Sequence, residues 1–497
     1  MAAGALASKT LHELRALLKA GTVCAGDVLE DLLARIAQQN PSLRAYLAVD
    51  EARVRRQLQA KSAAASQDPP LSGIPITVKD NICIQGEETT CASRILQGFR
   101  APYDATAIER LRSAGALLIP RANMDEFAFG SSTENSAFGV TRNPWAPERV
   151  PGGSSGGSAT AVAADLAIAA LGSDTGGSIR QPAAFCGIVG MKPTYGRVSR
   201  YGLIAFASSL DQIGPLAKDV TDAAILLSVI AGHDARDSTS APVEVPDYER
   251  QLSQRVEGLR IGLPKLSGIE GIDPDVRQAL DDAVAVLEGL GLRTVPIELP
   301  HISAAVATYY IIATAEASSN LARYDGVQYG WRAVNGASAQ SPLINLYLRT
   351  RTEGFGAEAK RRILLGTYVL SQGYYDAYYL QGMKVRTLIK QDFDEAFARC
   401  EVVLMPTAPT PAFRIGEKLD DPLQMYLSDI FTISANLAGV PAMSLPCGFS
   451  HRGLPIGMQV LAAPFREDLL FRVGYAYEQA TDWHRRAPVS SATSSYE

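Results

Sequence analysis

The chain of 497 residues is 47% hydrophobic and 20% charged, so it can bury a large core and is too long for one small domain. Its 47 basic and 52 acidic residues give a net charge of −5, so the protein as a whole lacks the excess positive charge with which proteins bind nucleic acid. If RNA is involved, a partner is expected to hold it. Apolar runs stay short of the roughly 18 residues of a membrane span, and the N-terminus lacks signal or transit character. We therefore expect a cytoplasmic protein without membrane contact.

Cysteine and histidine are scattered along the chain, which has six of the first and five of the second. No C-x-x-C pair and no H-E-x-x-H motif occurs. We expect most cysteines to be inert core residues in a reducing compartment, and we expect no metal site.

The first 68 residues predict an N-terminal helical layer built from two amphipathic helices. Thr10 is the predicted N-cap of the first, and Asn40-Pro41 is predicted to stop the second. A helix pair that covers the core is the preferred interpretation, and a partner-binding layer is the alternative.

Residues 69–490 predict one α/β domain. Its core motifs lie in residues 69–235, where strands at 73–78 and 116–120 flank a helix near 105–115, and residues 234–257 resemble a linker. Strands at 259–264 and 293–298 flank a helix at 274–290, and the sequence pattern predicts further helices through about 300–400. Strands return within 401–485, at 402–405, 442–445 and 455–460, before a final helix at 467–481. Strands at both ends of this region predict one continuous sheet, with the helix-rich middle inserted as a cap.

Two segments rich in glycine and serine concentrate hydroxyls and bare backbone amides, at residues 150–159 and 172–180. A phosphate loop is a weak interpretation of the first, because Ser158 stands where the lysine should be. In the second, glycines allow a sharp turn that aims the N–H groups of Thr175, Gly176, Gly177 and Ser178 at one point. Such a nest suits the oxyanion of a tetrahedral intermediate.

A serine nucleophile needs a base, and the nearby sequence offers no histidine. Lys79 ends the apolar run Ile-Pro-Ile-Thr-Val, where burial can lower its pKa enough to make it a neutral amine base. A solvated strand-end lysine is the ordinary interpretation of Lys79 taken alone.

The three motifs together resemble the amidase signature family: Pro-Ile-Thr-Val-Lys-Asp-Asn, Gly-Gly-Ser-Ser-Gly-Gly-Ser and Ser-Asp-Thr-Gly-Gly-Ser-Ile-Arg. The resemblance implies the family's fold, a large mixed central β-sheet covered by helices on both faces. It also implies a triad of Ser178 as nucleophile, Ser154 as bridging serine on a cis peptide bond, and Lys79 as base. Ser155 is expected to support this network by hydrogen bonding.

Further segments resemble the branch of the family that hydrolyses glutamine for tRNA-dependent amidotransferases, among them Ser131-Ser-Thr-Glu-Asn and Lys360-Arg-Arg. In that branch the site holds an α-carboxylate and an α-ammonium, which calls for a guanidinium and a carboxylate. The resemblance implies Arg362 and Asp429 for these roles, with Tyr309 as a wall of the site. Arg361 is the alternative to Arg362, and a surface ion pair is the ordinary interpretation of such residues.

The same resemblance implies a heterotrimer in which a B subunit binds tRNA and ATP and receives ammonia, and a small C subunit wraps against this chain. No cofactor is expected in this chain, and ATP is expected to be used by the complex. Two other hypotheses remain: a stand-alone amidase of aliphatic or aryl amides, and a non-catalytic phosphate-binding module.

The tyrosines at 374, 375, 378 and 379 fall on one broad helical face. Packing is the preferred interpretation of this face, and a partner surface is the alternative.

Overall fold

The computed structural model describes residues 5–62, 69–265, 271–334 and 341–488. The predicted domain boundary at 68/69 falls at the edge of a stretch outside these residues. Within the described ranges, no helix is both long and apolar enough to cross a membrane. The α-helices there are α1 Leu11–Lys19, α2 Ala25–Leu43, α3 Glu51–Ser62, α4 Thr106–Ser113, α5 Gly156–Ala163, α6 Arg180–Cys186, α7 Val220–Ile230, α8 Tyr248–Gln251, α9 Pro274–Gly289, α10 Ala305–Asn320, α11 Pro342–Gly354, α12 Ala357–Val369, α13 Gln381–Phe397, α14 Pro422–Leu427, α15 Ile433–Ala438 and α16 Glu467–Ala480.

One mixed sheet of ten strands organises the described part of the chain. The strands are β1 Pro75–Lys79, β2 Leu117–Ala122, β3 Ala169–Asp174, β4 Val189–Lys192, β5 Gln212–Ala217, β6 Arg260–Pro264, β7 Arg293–Ile297, β8 Val402–Pro406, β9 Ala442–Phe449 and β10 Pro455–Ala462. Their spatial order is β2-β1-β3-β5-β4-β9-β10-β8-β6-β7. The two ends of the sheet are parallel, and the five pairings from β3 to β8 are antiparallel. The prediction of one continuous sheet is confirmed.

Both faces of this sheet are buried, as β8 illustrates. Val402 and Leu404 belong to a core cluster shared with α2, α7 and α16. Val403 and Met405 point the other way, into a second cluster shared with α10, α13 and α15. Successive side chains of a strand face opposite sides, so helices must cover both. The predicted α/β class with helices on both faces is confirmed.

The parallel pairing of β1 with β3 positions the site. Thr77 pairs with Ala170 and Val78 with Leu171, so the two strands run side by side in register. Their carboxyl ends therefore reach the same edge of the sheet, and this edge carries Lys79 and the loop that follows Asp174.

The N-terminal region differs from the prediction in two respects. The α2 helix runs through Pro41 to Leu43 and ends at Arg44 in the left-handed conformation (φ 52°). Pro41 lies in the last turn, where burial of Leu43 stabilises the extra residues. A third helix, α3, was missed because it has little apolar periodicity, and Val54 is the one buried side chain among those the structure describes in it. The predicted N-cap at Thr10 is confirmed, and Glu13 completes a capping box with it.

The helix-rich region lies between β7 and β8 and contains no strand within its described residues. The expectation that its tyrosines pack into the protein is wrong for Tyr374, Tyr375 and Tyr378, which are each about 40% exposed at a π-helical turn at Tyr375–Leu380. Tyr379, in the same turn, is partly buried. Tyr374 and Tyr378 stack on one another, with ring centroids 5.9 Å apart.

Candidate active site

Lys79 lies fully buried at the end of β1, surrounded by serine oxygens. Its Nζ is 2.7 Å from Ser154 Oγ, 2.8 Å from Ser155 Oγ and 2.9 Å from Ser173 Oγ. Asn81 also donates to Ser173 Oγ, at 2.9 Å. The solvated lysine of the ordinary interpretation is therefore excluded.

Burial lowers the pKa of Lys79 to about 7, and the negative charges of Asp125 and Asp174 limit the fall. No carboxylate within salt-bridge distance holds Lys79 in its charged form among the described residues. Desolvation of this kind is how a lysine becomes a base near neutral pH.

The contacts around neutral Lys79, which include the Ser173 carbonyl at 3.3 Å, leave the Ser154 hydroxyl free to donate its proton to the amine. A neutral amine has two N–H donors and one lone pair. The Ser155 hydroxyl donates to the carbonyl of Ser173 at 3.1 Å, so it is an acceptor for Lys79. For the Ser154 hydroxyl, Lys79 is the partner recorded in the described structure, and the Gly153–Ser154 peptide bond is cis. Ser154 can therefore donate to the lone pair while Ser155 and Ser173 accept the two N–H groups.

Ser178 sits in the loop that links β3 to α6, next to this network. The backbone N–H of Ser155 donates to the carbonyl of Ser178 at 3.1 Å, which ties the two glycine-serine segments together. The residue is 7% exposed, and no hydrogen bond of its hydroxyl is recorded within the described ranges. Such a hydroxyl is open to a substrate that enters the site.

Asp174 shapes the turn before Ser178. Burial favours its neutral form, but the guanidinium of Arg180 lowers the pKa of Asp174 to about 2. Its carboxylate accepts the N–H of Gly177 at 2.9 Å and the N–H of Ile179 at 3.2 Å. The Gly177 N–H is therefore already engaged, which corrects its predicted part in the oxyanion hole. Thr175, Gly176 and Ser178 are the members of the nest whose N–H groups have no recorded acceptor in the described chain.

Thr432 and Tyr309 support the same loop from the other side. Thr432 Oγ1 donates to the carbonyl of Gly176 at 2.6 Å. Gly177 has a φ of +138°, and a Cβ there would lie 2.2 Å from Thr432 Oγ1. The ring of Tyr309 leaves no space for a Cβ on Gly176, which would lie 2.7 Å from Cζ. Glycine is thus required at both positions, one for its conformation and both for the close approach.

Arg362 lies buried on α12, whereas Arg361 on the same helix has a side chain 45% exposed. The Nε of Arg362 donates to Glu358 Oε1 at 2.8 Å. Its Cζ lies 5.2 to 5.7 Å from the ring centroids of four aromatic residues: Phe129, Phe206, Tyr310 and Tyr426. Burial opposes its charge, but Tyr310 and Glu358 outweigh this effect and raise the pKa of Arg362. A surface ion pair is excluded for Arg362, and the structure favours it over Arg361 as the residue that faces the site.

Asp429 is buried, and the charge of Arg362 acts on its pKa. The charges of both Arg362 and Asp429 act on the pKa of Tyr309. One carboxylate oxygen of Asp429 accepts from the Ser131 hydroxyl, and the other, Oδ1, is buried without a partner in the described structure. Burial raises the pKa of Asp429 to about 7. An unsatisfied buried oxygen is costly, and Oδ1 keeps its capacity to accept a further hydrogen bond.

The fold thus brings together residues from distant parts of the sequence. Lys79, Ser154 and the Ser178 loop meet at one edge of the sheet, and Tyr309 joins that loop to Asp429 and Arg362. The supporting residues Asn81, Thr432 and Glu358 were not among the site residues predicted from the sequence. Asn81 is adjacent to the lysine motif, which was the available signal, but nothing in the sequence links the other two to the site.

Other clusters of titratable side chains lie elsewhere. His12, Asp219 and Asp222 could be arranged around a cation, but Asp222 accepts the N–H groups of Leu11 and His12 and so caps α1. The six cysteines are unpaired, and all except Cys24 are buried, as expected.

A ten-stranded mixed sheet with helices on both faces, and a buried lysine among serines at its edge, define an amidase. The amidase family matches residues 27–471, and the chain belongs to this family. The amidase signature fold predicted from the three motifs is confirmed.

The similarity extends to particular proteins. The chain is 58% identical over 481 residues to the glutamyl-tRNA(Gln) amidotransferase A subunit of Thermodesulfovibrio yellowstonii, covering 96% of this chain and 98% of that protein. It is 57% identical to the protein of the same name from Syntrophus aciditrophicus, over 97% and 99% of the two chains. Among solved structures, the corresponding protein from Thermotoga maritima has a TM-score of 0.79 at 43% identity, with 95% of each chain covered. A peptide amidase from Stenotrophomonas maltophilia has a TM-score of 0.81 at 32% identity, over 98% and 99%.

Proposed function

We propose that this protein is the glutamine-hydrolysing component of a tRNA-dependent amidotransferase, which supplies ammonia for converting Glu-tRNA(Gln) to Gln-tRNA(Gln). The proposal is carried by two features that occur in the same site. A buried lysine with a lowered pKa lies beside Ser178, and the buried Arg362 and Asp429 lie around Tyr309. Relatives of that name, 55% to 58% identical over nearly the full chain, support it. Peptide amidases share the fold at lower identity, so a stand-alone amidase is the alternative.

The proposed chemistry begins with a proton relay. Neutral Lys79 accepts the proton of Ser154, and Ser154 accepts the proton of Ser178. Ser178 Oγ then attacks the side-chain carboxamide carbon of glutamine. The C–N bond breaks as the relay returns a proton to the nitrogen, which leaves as ammonia, and an acyl-enzyme remains on Ser178. Water then attacks the acyl-enzyme with the same relay as base, and glutamate is released.

The oxyanion of each tetrahedral intermediate needs donors that point at one position. In the arrangement described above, the N–H groups of Thr175, Gly176 and Ser178 are available, and Asp174 holds the turn that aims them. Removal of one such donor typically costs about 3–4 kcal/mol of transition-state stabilisation. The loop is therefore as important to the reaction as the triad.

Recognition of glutamine is assigned to the opposite end of the substrate. Arg362 binds the α-carboxylate, and Asp429 Oδ1, which has no protein partner in the described structure, accepts the α-ammonium. Tyr309 forms the wall between this end and the Gly176 loop.

We also propose the partners: a B subunit that binds tRNA and ATP, and a small C subunit. Free ammonia is mostly protonated at neutral pH, so a closed path to the synthetic site of the B subunit is required. ATP acts at that synthetic site, and this chain needs no cofactor for the relay. The net charge of −5 agrees with a protein that leaves tRNA to its partner.

The test is purification with candidate B and C subunits, followed by measurement of ammonia release from glutamine with and without charged tRNA and ATP. We expect strong stimulation by both, and loss of ammonia release in Ser178→Ala and in Lys79→Ala to the same degree, since members of a relay are non-additive. Hydrolysis of simple amides with no dependence on tRNA, and an unchanged glutamine KM in Arg362→Ala, would favour the stand-alone amidase. Full activity in Ser178→Ala would refute the triad.

A further inference from the structure

The carboxylate of Glu358 joins the two parts of the chain that carry the proposed glutamine ligands. It lies on α12, one helical turn before Arg362, and is 8% exposed. Its Oε1 accepts Arg362 Nε–H at 2.8 Å and the Tyr426 hydroxyl at 3.1 Å. Tyr426 belongs to α14, and its carbonyl accepts the backbone N–H of Asp429 at 3.3 Å. One oxygen atom therefore links the helix of Arg362 to the segment that leads to Asp429.

The contact to Nε also decides how Arg362 is presented. A guanidinium has five N–H donors in a fixed plane, so engaging Nε fixes the direction of the two terminal amino groups. Four aromatic rings, those of Phe129, Phe206, Tyr310 and Tyr426, surround the same group at 5.2 to 5.7 Å from Cζ and leave it few alternative positions. Tyr310 and Tyr426 stack with centroids 3.9 Å apart, which keeps the Tyr426 hydroxyl near Glu358.

We propose that Glu358 is a positioning residue for substrate selection: it sets the direction of Arg362 and its separation from Asp429, and so makes the site specific for an α-amino acid. This proposal rests on the proposed function, because it assumes that Arg362 and Asp429 hold the two charged groups of glutamine. Glu358 has no recorded contact with the triad residues in the described chain, and its other oxygen pairs with the exposed Arg361. Its proposed effect on binding is therefore exerted through Arg362.

The consequence is a particular kinetic pattern. Loss of a charge-assisted hydrogen bond that holds a buried guanidinium corresponds to about a 10-fold or larger loss of affinity. The reacting end of the site is built on Lys79 and the Ser178 loop, which Glu358 does not touch, so the loss falls mainly on KM. Loss of the Tyr426 hydroxyl in Tyr426→Phe keeps the ring stack and removes only the link to α14, so it predicts a smaller rise in KM.

The experiment measures kcat and KM for glutamine in the full-length protein, with its partner subunits where they copurify. The variants are Glu358→Ala, Glu358→Gln, Arg362→Ala and the double variant Glu358→Ala/Arg362→Ala. The matched control is Glu353→Ala, which removes an exposed glutamate that pairs with Arg349 on the neighbouring helix α11. We expect Glu358→Ala to raise KM about 10-fold or more while kcat falls less than about 3-fold. Glu358→Gln should restore part of the loss, because its amide oxygen still accepts Nε–H, and the control should match the wild type.

The double variant separates positioning from general structural damage. If Glu358 acts through Arg362, the double variant is no worse than Arg362→Ala alone. Full addition of the two losses, or a wild-type KM in Glu358→Ala, would overturn the positioning role and leave the proposed function intact. A wild-type KM in Arg362→Ala would overturn both. If Glu358→Ala does not fold, Glu358→Gln and Tyr426→Phe carry the same test.

Discussion

At the scale of single residues, the chemistry depends on how burial changes proton affinity. Lys79 and Asp429 both titrate near pH 7, although their ordinary pKa values lie on opposite sides of it. Burial disfavours the charged form in each case, so it lowers the pKa of the amine and raises that of the carboxyl. Asp174 is equally buried but has Arg180 beside it, and its pKa falls to about 2. The pKa values of Asp174 and Asp429 therefore differ because Arg180 pairs directly with Asp174, and not because one carboxyl is more deeply buried.

The first prediction concerns pH. Above about pH 7 Lys79 is neutral and Asp429 is ionised, which are the forms that the relay and ammonium binding require. We therefore expect kcat/KM for glutamine to rise with pH through about 7, with a slope on a logarithmic plot that approaches two on the acid side. In Asp429→Asn, which has one titrating group fewer, the slope should fall toward one. A flat profile between pH 6 and pH 8, values chosen to span roughly one unit on each side, would contradict this assignment.

At the scale of elements, the site lies where the ends of β1 and β3 meet a loop that neighbouring side chains stabilise. The adjacent parallel strands β1 and β3 deliver Lys79 and the Ser178 loop to the same edge. The loop keeps its shape because Asp174 accepts its N–H groups and Thr432 binds the carbonyl of Gly176. The segment between α14 and α15 thereby supports the loop that carries the proposed nucleophile.

The second prediction tests this close packing. In Gly176→Ala the new methyl would lie within 3 Å of three Tyr309 side-chain atoms, two in the ring and the hydroxyl oxygen, so either the loop or the ring must shift. Because oxyanion donors lose their aim with small displacements, we expect kcat to fall by about 100-fold or more. The matched control is Gly289→Ala at the end of α9, where a Cβ meets nothing within 4 Å. Both are assayed for ammonia release at saturating glutamine, and equal activity of the two variants would show that the loop tolerates the shift.

At the scale of the whole molecule, the N-terminal helices are part of the main core. Leu11, Leu14 and Leu32 belong to the same buried cluster as strand residues from β1 and β3. This agrees with the preferred interpretation of the layer as a cover for the core. The exposed tyrosines near the π-helical turn are a different kind of surface, because their rings stack with one another and remain accessible.

The third prediction measures this contribution to stability. Leu32 is fully buried, so Leu32→Ala should lower the free energy of unfolding by about 2–5 kcal/mol, through lost transfer energy and a residual cavity. Leu364→Ala is the control: its side chain is 71% exposed on α12, and we expect a change within about 0.5 kcal/mol. Denaturant unfolding of the two variants provides the measurement. Equal midpoints would mean that the helical layer does not unfold together with the sheet.

The sequence by itself determined the α/β class, most of the strands and the motifs of the site, because apolar periodicity and glycine-serine turns are local properties. It also pointed to Lys79, because the motif around this strand-end lysine resembles that of the amidase signature family. Only the tertiary structure decided what depends on distance in space. It buried Arg362 rather than Arg361, engaged the Gly177 N–H with Asp174, and brought Thr432 and Glu358 to the site. It also left the tyrosines near the π-helical turn exposed, because a helical stripe does not specify which neighbour, if any, will cover it.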